Sequence, residues 1–187
     1  MADKNKHKLS IKKKNDFESI LSHYKLKLND NTIAISLLLP DLYPSQLNYF
    51  IIKSINKFCN NYIGIDINIF NQANNIPFIV PSCPILSAND IRTYKDPIIC
   101  TNISTCIDAI DSMASCILFY MFDIDLENIE ENYKISNDPR VYIVLRNESV
   151  KNIVQEEFKC PIIKTIIPDF DIEKIIKIIR EIKNEEK

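Results

Sequence analysis

The apolar positions of residues 141–182 change period three times. Val141 to Leu145 is a continuous apolar run, and Arg146-Asn147-Glu148-Ser149 breaks it with residues that can cap a helix. Val150, Ile153, Val154 and Phe158 then fall at i, i+3, i+4 and i+8, the spacing of one helical face. Pro161 stops that pattern, Ile162, Ile163, Ile166 and Ile167 predict a second strand, and Pro168-Asp169 punctuates. Ile172, Ile175, Ile176, Ile179 and Ile182 restore the helical period. Strand, helix, strand and helix in succession require parallel strands joined by a right-handed crossover, which is a layered α/β arrangement.

The same alternation runs through the rest of the chain. Met1 to Lys14 carries six Lys against one Asp and few apolar residues, and reads as a mobile basic tail, leaving residues 15–187 as one domain. Asp16 caps a short helix through Phe17, Ile20, Leu21 and Tyr24. Thr32 to Leu39 reads as a central strand buried on both faces. Ser45 caps a helix whose face is Leu47, Phe50, Ile51, Ile55 and Phe58, and Tyr62 to Phe70 alternates like a half-buried strand near an edge. Pro77, Pro81 and Pro84 cut the next apolar segment into a short strand and an irregular connection. Pro97 to Thr101 predicts a strand, Asn102 or Ser104 caps a helix through Ile103, Ile107, Ile110 and Ala114, and Cys116 to Phe122 is a fully apolar strand. The acidic stretch from Glu127 to Asp138 reads as a connection. The expected fold is a single-domain α/β protein with a mostly parallel sheet and helices on both faces, in which the strands at 32–39, 97–101, 116–122 and 141–145 are parallel neighbours.

Composition narrows the chemistry. The 187 residues suffice for one core that needs no staple, and the formal charge of -2 argues against a dedicated nucleic-acid surface. No apolar run reaches the ~20 residues that span a bilayer, so the chain is expected to be soluble and cytoplasmic, without a membrane partner. Six Cys, never as C-x-x-C, read as reduced, small apolar residues. A single glycine, Gly64, excludes both a P-loop and a G-x-G-x-x-G fingerprint. Two His, His7 and His23, both near the N-terminus, make a Ser-His-Asp or Cys-His nucleophile system a poor expectation.

In an open α/β sheet, ligands bind beyond the carboxyl ends of the strands. The polar clusters that fall there are Asp41 to Ser45, Thr101 to Thr105, Asp123 to Glu127, Arg146 to Ser149 and Asp169 to Asp171. Each can equally be helix capping and turn chemistry. Asp123 and Asp125, separated by one residue after a buried strand, either share Mg²⁺ or Mn²⁺ that neutralises a diphosphate or belong to a solvated acidic connection. Arg146, with Asn147, Glu148 and Ser149 beside it at a strand-to-helix junction, either receives a phosphate or carboxylate or pairs with Asp123 or Glu148.

The order strand, R-N-E-S, helix, short strand, I-P-D-F-D, helix across Val141 to Ile182 resembles a recurrent stretch of two-domain, GT-B type glycosyltransferases. In that family a second strand ends in a Pro-Asn-Gly-x-Asp turn, where this chain has Pro168-Asp169-Phe170-Asp171. The aromatic-rich strand running into Asp123 is similar to short glycosyltransferase-like proteins of T4-like bacteriophages. The resemblance implies one Rossmann-like half of such an enzyme, acting in the cytoplasm of an infected host if viral. It further implies a nucleotide-sugar or glycan ligand near Arg146, Asn147, Glu148, Ser149, Asp169 and Asp171. The other reading is a non-catalytic phage interaction or structural module that keeps the fold and meets a protein partner or a second copy of itself.

Overall fold

The computed structural model describes residues 34–62, 65–122 and 129–185. The expected basic tail, the Asp16 helix, Gly64, Asp123 and Asp125 lie outside the described residues. The described elements are β1 (Ala34–Leu39), α1 (Gln46–Asn61), β2 (Asp66–Asn71), β3 (Ile85–Ser87), a 3-10 turn (Ala88–Thr93), β4 (Ile98–Cys100) and α2 (Ile103–Ile110). They continue with β5 (Ile117–Met121), α3 (Ile129–Asn137), β6 (Val141–Leu145), a second 3-10 turn (Glu148–Val150), α4 (Lys151–Glu157) and α5 (Ile172–Glu185). All six strands are parallel and form one sheet in the order β3-β2-β1-β4-β5-β6. This is the order of a Rossmann-like doubly wound sheet, whose direction of winding reverses between β1 and β4. The predicted neighbours at 32–39, 97–101, 116–122 and 141–145 correspond to β1, β4, β5 and β6, side by side.

Successive side chains of a strand point to opposite faces, and here both faces are covered. Leu38, Ile98, Cys100, Ile117, Phe119, Met121, Val141, Ile143 and Leu145 share one core with Ile103, Cys106 and Ala109 of α2, Ile135 of α3 and Val154 of α4. The alternate residues, among them Ile35, Leu37, Ile99, Leu118, Tyr120 and Val144, are equally buried. On that side α1 and α5 pack together, and Ile51, Ile52, Ile55 and Phe58 of α1 are buried, as are Ile172, Ile175, Ile176 and Ile179 of α5. Across this second face the buried Tyr120 hydroxyl donates to Ile167 O at 2.9 Å, and its ring meets Phe170 edge-on with centroids 5.3 Å apart. Burial raises the Tyr120 phenol well above its ordinary value, with the opposing pull of Arg146 and the push of Asp169 both smaller. Tyr120→Phe is expected to cost about 1 kcal/mol in a denaturant titration, because it orphans one buried carbonyl and leaves the ring packing intact.

Three expectations change. The acidic stretch after residue 127 is not only a connection, since Ile129–Asn137 is a helix that buries Ile135 and Asn132 beside α2. Just two apolar residues in that segment, Ile129 and Ile135 with Tyr133 exposed, gave no stripe to read. The predicted strand at Ile162 to Ile167 makes only an isolated parallel bridge, Ile143 with Ile162. It still runs alongside β6, with Ile143 N donating to Pro161 O, Ile163 N to Ile143 O and Ile167 N to Leu145 O. The irregular connection and short strand expected around the three prolines are both found, with the edge strand β3 following Pro84, where the missing donors no longer interrupt a ladder. Ile153 belongs to no buried stripe and is exposed, α4 burying Val154 alone.

At the opposite, amino-terminal edge of the sheet, Arg140 uses its whole guanidinium. Its Nη1 donates to Ser112 O and Ala114 O at 3.0 and 3.2 Å, Nη2 to Ile110 O at 2.7 Å, and Nε and Nη2 to the Asp138 carboxylate at 3.0 and 2.6 Å. The fork thus closes the carbonyl end of α2 and ties it to the turn that enters β6.

Candidate functional site

Four of the five polar clusters named from the sequence are described, and because every strand is parallel they belong to one edge of the sheet. The structure divides them between scaffolding and an open groove. The loop from Asp41 to Ser45, after β1, is built around the buried Asn48, whose Nδ2 donates to Asp41 O, Asp41 Oδ1 and Tyr43 O at 3.2, 3.2 and 2.9 Å. Ser45 Oγ accepts from Asn48 N at 3.0 Å and caps α1. The next turn, after β2, holds Asn74 at φ 51°, a left-handed position that an asparagine tolerates where glycine is usual. Asn75 Oδ1 accepts from Leu42 N at 2.9 Å and joins the two loops. In this glycine-poor chain, asparagine side chains perform the turn chemistry.

Asn102 is the cap of α2, in a reciprocal box with Thr105: Asn102 Oδ1 accepts from Thr105 N at 2.9 Å, and Thr105 Oγ1 accepts from Asn102 N at 3.2 Å. Ser104 has no capping role. Thr101, immediately before, is 5% exposed and its hydroxyl finds no partner. It lines a recess of about 240 Å³ with Pro40, Leu47, Asn102, Ile103, Phe119, Met121 and Phe122. That recess sits at the β1/β4 reversal, the switch point of the sheet.

Beyond β6 the groove is wider, about 840 Å³, and is lined by Phe122, Arg146, Asn147, Glu148, Val150, Ile166, Pro168 and Asp169. Phe122 walls both spaces. The Arg146 guanidinium lies 3.9 Å from the centre of the Phe122 ring, and its Nε donates to Pro168 O at 3.0 Å. Stacking on one side and a carbonyl on another fix the fork, so it is held in place before any ligand arrives. Among the described residues no carboxylate lies within ion-pair distance of Arg146. Glu148, one partner considered from the sequence, instead pairs with Lys151 at 2.9 Å. The other, Asp123, lies outside the described residues, as does Asp125, so the expected Mg²⁺ or Mn²⁺ pair has no described geometry. Among the described residues no group of three His, Cys, Asp or Glu is placed to hold a metal ion.

The structure corrects the setting of Arg146. It does not abut a helix N-terminus, because Asn147 caps the intervening 3-10 turn by accepting from Ser149 N at 3.0 Å, and α4 begins only at Lys151. Asn147 and Ser149 therefore serve the turn. Asp171 serves α5, accepting from Glu173 N and Lys174 N at 3.1 and 3.3 Å. Asp169 also lines the groove, with no described ion pair. Of the six residues expected to bind ligand, Arg146, Asn147, Glu148 and Asp169 share the groove, and Ser149 and Asp171 are not among its lining residues. Sequence reading missed Phe122 and Pro168, whose value lies in where they hold Arg146, something no local pattern announces.

Two further hollows flank this edge. One, about 520 Å³, lies between α1 and the start of α5 with Lys53, Lys57, Asp169 and Lys174, the last paired with Asp171 at 3.6 Å. The other, also about 520 Å³, is lined by Gln72, Asn89, Arg92, Asp108 and Asp111, where Gln72 Nε2 donates to Asp108. No family model matches the chain, and neither a curated protein nor a solved structure matches it.

Proposed function

We propose that the carboxyl edge of the sheet binds a phosphorylated sugar ligand of the nucleotide-sugar kind, with Arg146 as the phosphate anchor. The observation that carries this reading is the preset guanidinium, stacked on Phe122, bonded to Pro168 O and lining a groove in which no described carboxylate comes within ion-pair distance of it. A phosphate can take the fork bidentately, and Asp169 and Asn147 in the same groove offer acceptors to sugar hydroxyls. The chemistry that would follow is glycosyl transfer, in line with the resemblance of residues 141–182, and a carboxylate such as Asp169 is the candidate base. Equilibrium titration with UDP-glucose at low ionic strength tests the reading. Saturable binding that Arg146→Ala weakens is the expected result, and the absence of binding to the unmodified protein contradicts it.

One observation favours an interaction module as the second reading. From Ile67 to Asn89 the chain has no charged residue, although 26% of its residues are charged overall. Within that stretch Ile76 and Val80 are 90% and 78% exposed, and Phe78, Ile85 and Leu86 are exposed to a lesser degree. Natural edge strands are ordinarily protected by charge, and β3 is an edge strand without it. The partner that matches an uncharged apolar strand without any charge complement is a second copy, its β3 paired antiparallel across a two-fold axis. Sedimentation at about 50 μM is expected to give a dimer mass that Ile85→Lys reduces to the monomer; a monomer in both proteins removes this reading.

A further inference from the structure

We infer that the recess at the β1/β4 switch point is the subsite for the ring of a nucleobase, so that the ligand anchored at Arg146 lies along the sheet edge from β4 to β6. The inference rests on the reading of Arg146 as a phosphate anchor and adds where the rest of the molecule goes. Six of the eight lining residues, Pro40, Leu47, Ile103, Phe119, Met121 and Phe122, are apolar, and none is charged. An apolar cavity of about 150 Å³ accommodates benzene, so a recess of about 240 Å³ takes one heteroaromatic ring system and not a whole nucleotide. An uncharged lining excludes the phosphate from this end. It equally disfavours a bare sugar, whose several hydroxyls would find few partners here.

Thr101 is 5% exposed, and its hydroxyl, without a partner in the protein, is itself sealed from solvent, so the recess offers a base its apolar walls and no hydrogen bond from that hydroxyl. Phe122 joins the two spaces: it walls the recess, and its ring carries the Arg146 guanidinium. The recess draws on the ends of β1, β4 and β5, and Arg146 follows β6, so the two sites are one to three strand spacings apart, ~5–14 Å. A pentose with its diphosphate lies within that range.

The test compares inorganic pyrophosphate, UDP and ADP by calorimetric titration of the full chain and of Leu47→Trp and Arg146→Ala. Leu47 is half-buried at the mouth, so an indole there fills the recess without entering the core. At least one nucleotide is expected to bind about tenfold or more tightly than pyrophosphate, the scale of one base held against aromatic and apolar walls. Leu47→Trp should bring that nucleotide down to the pyrophosphate level, and Arg146→Ala should weaken all three ligands. Pyrophosphate binding with no nucleotide advantage, or an advantage that survives Leu47→Trp with an unchanged melting temperature, overturns the base subsite and leaves the phosphate anchor standing. A nucleotide advantage that persists while Arg146→Ala changes nothing overturns the anchor instead. No binding of any ligand overturns both.

Discussion

Arg140→Ala is expected to destabilise the protein by about 3 kcal/mol, lowering the melting temperature by about 6–12 °C. The substitution withdraws three hydrogen bonds from the carbonyls of Ile110, Ser112 and Ala114 and strips a 2.6 Å partner from Asp138, whose side chain is only 11% exposed. Arg140 itself keeps 29% of its side chain exposed, and water reaching the vacated fork places the loss at the lower end of the range for a broken buried pair. Burial is the largest single influence on the Asp138 carboxyl and pushes it up, but the side-chain bond, the backbone N–H and the charge of Arg140 together hold it below its ordinary value. A carboxyl depressed in the folded state adds stability that is complete above the unfolded value of about 3.9. That stability disappears as pH falls through the folded value. Chemical denaturation from pH 7 down to pH 3 should therefore narrow the gap between Arg140→Ala and the unmodified protein, and a gap independent of pH would show that the ion pair contributes nothing.

Arg146→Ala should give the opposite profile, a small change in stability and a large one in binding. Losing one exposed carbonyl bond and the stack on Phe122 costs about 0.5–1 kcal/mol, so the melting temperature should fall by only ~1–4 °C. Affinity for a phosphorylated ligand should fall about tenfold or more, since charge-assisted bonds from a fixed fork are worth about twice neutral ones. Added salt should weaken binding to the unmodified protein more than to the variant, because the screened charge is the one removed. A stability loss above ~2 kcal/mol would recast Arg146 as a structural tie between β6 and the Pro168 turn.

The sequence pattern carried the sheet and left the site half read. Continuous apolar runs at β1, β5 and β6 identified strands buried on both faces, because a parallel sheet leaves no solvated side to alternate. It misjudged α3, where two buried residues, Asn132 and Ile135, suffice beside α2, and residues 161–167, where Pro161 and Pro168 confine pairing with β6 to scattered bonds. Arg146 and Asp169 were recognisable by chain position alone, since strand ends in this fold face one edge. Phe122 was not, because a stacked ring is a fact about three-dimensional neighbours. Arg140 escaped notice for the same reason: Asp138-Pro139-Arg140 looks like a turn, and the carbonyls it closes lie 26 to 30 residues away in the chain.

Amide and arginine side-chain NMR shifts during titration with UDP-glucose test the central claim most directly. The account predicts perturbation of the Arg146 Nε signal and of the amides of Phe122, Asn147 and Asp169, with Asp138, Arg140 and Ser112 at the other edge unmoved. Shifts centred on Lys53, Lys57 and Lys174, with Arg146 silent, would contradict it.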